Sequence, residues 1–219
     1  MKKFHIAIDG PAGSGKSTIS SLLAKKLNWT HIDTGAMYRA VTLYALENNI
    51  NLNNENEYSF LETLKISYID ENIYLNNKNV SKEIRSEEVT KNVSLVSSFP
   101  YVRKKMVDLQ KEAAKEINVV MDGRDIGTVV LPNADLKVFL TANVEERAKR
   151  RYQENKEKFV NKSLDDVIEE IKIRDNKDST RKESPLKKAN DAIELDTTYL
   201  TIEEVVEKIL LMIDKKENE

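Results

Sequence analysis

Gly10-Pro11-Ala12-Gly13-Ser14-Gly15-Lys16-Ser17 is the stretch whose reading decides this chain. It satisfies G-x-x-x-x-G-K-[ST] in full, with Gly10, Gly15, Lys16 and Ser17 at the fixed positions. A polyphosphate needs several backbone N–H groups turned inward on it, and glycine lets a chain wrap that closely. A lysine at this position reaches the β- and γ-phosphates, and the following hydroxyl ligates Mg²⁺. The flanks agree. Phe4 to Ile8 is an apolar run of strand length, and Ile19, Leu22, Leu23 and Leu27 recur at helical spacing. The loop is therefore expected on a helix N-terminus, where backbone dipoles favour an anion. A nucleoside triphosphate is expected on Gly10, Pro11, Ala12, Gly13, Ser14, Gly15, Lys16, Ser17 and Thr18, with Ser17 on the metal.

The rest of the composition is permissive. At 219 residues the chain can bury a sizeable core, and a net charge of −2 gives no reason to expect nucleic acid or an anionic membrane as partner. Cysteine is absent, which excludes disulfides, thiolate metal sites and thiol catalysis. Lys2-Lys3 looks like the start of a signal peptide, but the apolar run behind it is strand-length and leads into the phosphate loop. No run is long enough to span a bilayer. A soluble cytoplasmic protein is expected, and with no unexplained apolar stripe, a monomer.

Further along, Thr30-His31-Ile32 reads as a second strand delivering Asp33 to Arg39, and a third helix is expected over Glu55 to Lys65. Between Ile66 and Arg85, Ile66, Tyr68 and Asp70 alternate, and Asn76 to Asn79 has the composition of a hairpin tip. Val89, Val93 and Val96 mark a helix ending near Phe99, and Pro100 opens the next. Strands are expected over Ile117 to Met121, Leu136 to Leu140 and Ala192 to Leu195. Asn143 with Glu146, Ser163 with Asp166 and Thr201 with Glu204 have capping-box spacing. Alternating strands and helices imply an α/β fold of the P-loop NTPase kind. Its expected parts are a five-stranded parallel sheet flanked by helices, a small antiparallel β insertion and a mobile lid. Residues 1–65, 86–160 and 189–219 make the core, 66–85 the insertion, and 161–188 a lid helix and loop.

A phosphate loop leaves the reaction open. Switch GTPases carry D-x-x-G, and no aspartate here has a glycine three positions on; Asn176-Lys177-Asp178 is one residue short of N-K-x-D. A small phosphotransferase fits better, and it must place an acceptor opposite the γ-phosphate and shut out water. Arg39, Arg124, Arg174 and Arg181, read as loop residues on one face, suit an anion clamp because guanidinium forks bind phosphate oxygens bidentately. Any one of them alone reads as a solvated surface charge. His5 and His31 have no motif of their own, and a phosphate acceptor, already largely dianionic, needs no general base.

Asp33 to Arg39, Asp122-Gly-Arg-Asp-Ile-Gly-Thr128 and Ser98-Phe-Pro-Tyr-Val-Arg103 together resemble the bacterial cytidylate kinase family across essentially the whole chain. That resemblance implies transfer from ATP, with Mg²⁺, to CMP and dCMP. It implies cytosine reading by Ser94, Arg103 and Asp125, and substrate contact by Thr34. It implies acceptor-phosphate binding by Arg39 and Arg124, and closure of a segment holding Arg174, Asp178 and Arg181. Lys16, Arg174 and Arg181 are then the catalytic charges. Arg147 and Arg151 are placed near the adenine and donor phosphates. Lys177 stands where some relatives carry another lid arginine. In these roles a carboxylate accepts from cytosine N4 and an arginine donates to N3 and O2, whereas uracil opposes like to like. A kinase for UMP or a small alcohol such as shikimate, and a nucleotide-binding regulator without turnover, are the competing classes.

Overall fold

The structure is a computed structural model that describes residues 3–69, 72–154 and 162–217. Among these, the chain forms β1 (His5–Asp9), α1 (Lys16–Leu27), β2 (Thr30–Asp33) and α2 (Thr34–Glu47), then a 3-10 stretch over Glu55–Glu62. β3 (Ile66–Ile69), β4 (Asn72–Leu75), β5 (Lys78–Asn79), α3 (Glu87–Val96) and α4 (Pro100–Ala114) follow. The remainder is β6 (Val119–Gly123), a π turn over Ile126–Val130, β7 (Leu136–Thr141), α5 (Val144–Glu154), α6 (Leu164–Thr180), β8 (Ile193–Asp196) and α7 (Ile202–Glu217). Two compact units result, Met1–His31 with Glu116–Glu219, and Ile32–Lys115.

The first unit is organised by a five-stranded sheet in the order β2-β6-β1-β7-β8. β1 pairs in parallel with both β6 and β7, with Ile6 opposite Val120 and Leu136, and β7 pairs in parallel with β8. The central strands are buried along almost their whole length, which is why they read as unbroken apolar runs rather than alternating ones. Ile6, Ile8 and Leu140 of the sheet share one core with Ile19 and Leu23 of α1 and Val205, Ile209 and Ile213 of α7. Burying each such side chain is worth about 1.5–3 kcal/mol.

Two of the three capping spacings close as full boxes, and the one at Asn143 forms in half, its own N–H going to Thr198 Oγ1. Ser163 Oγ accepts the Asp166 N–H at 3.1 Å while Asp166 Oδ2 accepts the Ser163 N–H at 2.8 Å. Thr201 and Glu204 exchange the same pair of bonds. Asn143 Oδ1 accepts the Glu146 N–H at 2.8 Å. The third core strand starts at Val119 rather than Ile117, because Asn118 is taken up in fastening its neighbours: its side chain accepts from Phe4 N–H and its carbonyl from Thr30 N–H.

In the second unit Asp33 opens α2 by accepting the Ala36 N–H at 3.0 Å, and α2 packs against α3 and β4. The antiparallel insertion is present as β3-β4-β5. Its tip is tighter than the sequence suggests: Asn76 and Asn77 alone make the turn, both at positive φ, and Lys78–Asn79 is already strand. Asp70 lies outside the described residues. The expected helix over Glu55 to Lys65 is instead a 3-10 stretch ending at Glu62. Asn54 caps it, and the buried Tyr58 packs with its ring tilted against those of Phe60 and Phe99.

Candidate active site

The phosphate loop lies between β1 and α1 in the first unit. Gly10, Gly13 and Gly15 all have positive φ, at 155°, 75° and 85°. Gly10 is also irreplaceable on space, since a Cβ there would stand 2.2 Å from the Leu140 carbonyl oxygen. Lys16 is buried and donates to the Pro11 carbonyl at 2.7 Å and to Ser14 Oγ at 3.3 Å. Burial pushes its ammonium well below the usual lysine range; Arg124 and Arg174 push the same way, while Asp122 and Asp9 oppose them. A polyphosphate would relieve that strain by bringing negative charge to a buried cation. Ser17 follows on the first turn of α1, and its hydroxyl is a hard oxygen of the kind Mg²⁺ prefers.

Arg124, Asp125, Arg174, Asp178 and Arg181 belong to the same unit. Asp178 is buried and gathers the arginines: its Oδ2 lies 2.9 Å from Arg124 Nε and 4.0 Å from Arg174 Nε, and its Oδ1 lies 3.7 Å from Arg181 Nη1. Burial alone would raise its carboxyl, but Arg124, Arg174 and Arg181 outweigh it and hold it below the ordinary range. Burial likewise opposes charge on Arg124, and Asp178 more than offsets it. Arg174 and Asp178 lie on α6 and not in a loop as the sequence suggested; the capping box starts a helix whose polar face carries them to Thr180. Lys177, on the same helix, is exposed. Asp125 is buried, and its carbonyl accepts N–H groups of Val129 and Val130 within the π turn.

Arg147 is buried on α5. Its Nη1 donates to the Ala12 carbonyl at 2.8 Å and meets Asp175 Oδ2 at 2.5 Å, and its Nε donates to the Ala142 carbonyl at 2.9 Å. Arg151 pairs with Glu170 of α6 at 3.7 Å. Beside Gly15 and Thr18 a cavity of ≈ 420 Å³ is lined by Arg150, Thr197, Tyr199 and Ile202. Arg150 donates to the Thr197 carbonyl at 2.6 Å there.

The second unit holds Thr34, Arg39, Ser94 and Arg103. Thr34 is buried at the start of α2, and Arg39 lies one turn further on. A Cβ on Gly35 would lie 3.0 Å from Asp33 Oδ1, the oxygen that caps α2, and in ordinary contact with Arg39 Nη1. Arg103 is buried on α4, with its guanidinium 5.4 Å from the Tyr38 ring centroid and Nη1 donating to the Ser97 carbonyl at 3.2 Å. Ser94 is half-buried on α3.

Sequence reasoning gave no role to Asp9, Asp122, Arg150 or Asp175. Asp9 accepts Ile126 N–H at 2.8 Å and Gly127 N–H at 2.7 Å, and Asp122 Oδ1 lies 2.7 Å from His31 Nε2. A signal existed for Asp9, a carboxylate ending an otherwise apolar strand immediately before the loop.

A parallel α/β sheet with this loop, a buried lysine and an arginine-rich helix beyond it defines a phosphate-loop phosphotransferase. The pattern of the cytidylate kinase family matches residues 6–215, and the chain belongs to that family. It is 58% identical over 213 residues to a cytidylate kinase of Acholeplasma laidlawii, covering 97% of this chain and 96% of the relative. A cytidylate kinase of Fusobacterium nucleatum is 54% identical over 216 residues, covering 98% and 99%. Among solved structures, an uncharacterized protein from Eubacterium ventriosum shares the fold at TM-score 0.54 and 13% identity, covering 98% of this chain and 99% of that one. No helix among the described residues is long and apolar enough to cross a membrane.

Proposed function

We propose that this chain transfers the γ-phosphoryl group of ATP to CMP and dCMP. The observation that carries the reading is family membership from residue 6 to 215 together with an intact phosphate loop and its buried Lys16. The loop N–H groups and Lys16 hold the β- and γ-phosphates. Ser17 contributes the protein oxygen to a Mg²⁺ ion, which when bound neutralises charge on those phosphates. The cavity beside Gly15 and Thr18 takes the donor base and ribose. Arg174 and Arg181 stabilise negative charge on the group in transit, an electrostatic term of about 2.7–4 kcal/mol for one well-placed donor.

For the acceptor we assign Arg39 and Arg124 to the 5′-phosphate, Thr34 and Asp178 to further substrate contacts, and Ser94, Arg103 and Asp125 to cytosine. Asp125 accepts from N4 and Arg103 donates to N3 and O2; uracil in the same pose leaves both groups facing their own kind. Arg103 and Asp125 are both at least 96% buried, with 3% and 4% exposure, so such a mismatch is not rescued by water.

The test is a panel of acceptors, CMP, dCMP, UMP, AMP and shikimate, each with ATP and Mg²⁺. Transfer to CMP and dCMP with UMP a poor acceptor is the expected result. Equal efficiency on UMP overturns the base assignment, and no transfer to any nucleoside monophosphate overturns the function.

A further inference from the structure

Ala12 sits in the phosphate loop with both of its backbone groups engaged by side chains far away in sequence. Its N–H donates to Asp175 Oδ1 at 3.0 Å, and its carbonyl accepts from Arg147 Nη1 at 2.8 Å. The two side chains also meet each other, Asp175 Oδ2 lying 2.5 Å from Arg147 Nη1. Arg147 is fixed in turn by the Ala142 carbonyl. The result is a closed ring of charge-assisted bonds joining the loop, α5 and α6. There is little slack beside it, because a Cβ on Gly13 would lie 3.1 Å from the Arg147 carbonyl oxygen.

Asp175 occupies a telling place on α6. It directly follows Arg174, and Asp178, three residues on, shares its side of the helix. The tie to the loop and the residues gathered around Asp178 are thus neighbouring projections of one rigid turn. A displacement of α6 by a fraction of an ångström would move Arg174 and the loop relative to each other, which is the geometry on which transfer of the phosphoryl group depends.

We propose that Asp175 is a positioning residue for phosphoryl transfer, holding Ala12 through its N–H and Arg147 through its charge so that α6 and the phosphate loop keep one register. It touches no reacting atom; it acts through Ala12, Arg147 and Arg174. The proposal rests on the kinase reading above. ATP binding in the absence of acceptor tests it independently of that reading.

The variants are Asp175→Ala, which removes both bonds, and Asp175→Asn, which keeps an acceptor for Ala12 and loses the charge facing Arg147. Each full-length protein is measured by thermal unfolding, by calorimetric titration with ATP and Mg²⁺, and by steady-state kinetics varying CMP. Asp175→Ala is expected to weaken ATP binding about fivefold and lower kcat by about tenfold or more, as supporting contacts to reactive groups commonly do. The KM for CMP should move less than about threefold, and Asp175→Asn should recover part of the loss. If Asp175→Ala unfolds, a fall of about threefold in kcat for Asp175→Asn carries the same meaning. A lowered melting temperature with ATP affinity and kcat both unchanged would show a purely structural bond and overturn the proposal. Should the wild-type protein not phosphorylate CMP, the kinase reading fails and ATP affinity alone then decides the tie, a loss of about fivefold in Asp175→Ala supporting it and an unchanged affinity overturning it.

Discussion

Asp9 offers a test of the site's electrostatics that needs no substrate. Its carboxylate is buried at the end of β1 and holds the Ile126 and Gly127 N–H groups. Burial raises its pKa from 3.8 to about 6; the two N–H bonds pull the other way, Asp125 adds repulsion and Lys16 attraction. The folded chain therefore binds this proton more tightly than the unfolded chain does. Asp9 contributes stability that is fully present below its unfolded pKa and lost as pH rises through about 6. A shift of roughly two pH units at about 1.36 kcal/mol each gives about 3 kcal/mol between those limits. Asp9→Asn removes the titration while keeping the shape. The assay is urea unfolding of wild type and variant at matched pH values from about 4 to 7.5, read as the difference between the two so that other acids cancel. That difference should fall by about 2.4 kcal/mol across the window, most of the full value, with wild type favoured at the acid end. The constant offset carries no weight, since the amide leaves one N–H facing an NH₂ group at every pH. A difference flat across the window, or rising with pH, would refute the reasoning.

Other outcomes follow from the same structure. Gly10→Ala places a methyl 2.2 Å from the Leu140 carbonyl, so ATP binding should be lost and stability should fall by several kcal/mol, about 2 or more, in thermal melts. Asp125→Asn lets an amide donate to uracil O4; CMP efficiency should drop by about 1.5–3 kcal/mol in transition-state terms while the preference over UMP narrows, and an unmoved ratio would make Asp125 structural. Arg181→Ala should lower kcat by about 10²–10³ with ATP affinity retained; a near-normal turnover would reduce that arginine to a partner of Asp178.

The features legible in the sequence are those whose cause lies within a few residues. The phosphate loop announces itself because glycines at fixed spacing permit its backbone, and the capping boxes at Ser163 and Thr201 are three-residue devices. The apolar run of β1 is read correctly because a strand buried on both faces needs no partner to be recognised. Illegible features are decided at a distance. Whether Arg174 to Thr180 is loop or helix depends on a start at Ser163 and on partners for its charges, none of which a polar composition reveals. Asp9 meets Ile126 and Gly127 more than a hundred positions away, and Asp175 meets Ala12 across a still longer separation. Such contacts exist only once the sheet has brought β1 and β6 side by side.

The distribution of charge explains why a protein of net charge −2 can still serve a polyphosphate. Three arginines, Arg124, Arg174 and Arg181, share one buried carboxylate, Asp178. Lys16, within the field of Arg124 and Arg174, has its ammonium driven down by burial and by those two arginines. Asp122 and Asp9 act on Lys16 against these arginines, and Asp175 and Asp122 act on Arg124 beside Asp178, so cations and carboxylates are interleaved in a desolvated place where each charge is felt strongly. Arginine keeps its charge there because of its high intrinsic pKa, whereas burial and the neighbouring arginines disfavour the Lys16 ammonium. Phosphate groups bring further negative charge to these arginines and to Lys16. A ligand that brings them favours the Lys16 ammonium and competes with Asp178 for its arginines in a single event. The overall acidity of the chain is set elsewhere, by exposed carboxylates that solvent screens, and it does not oppose this local demand.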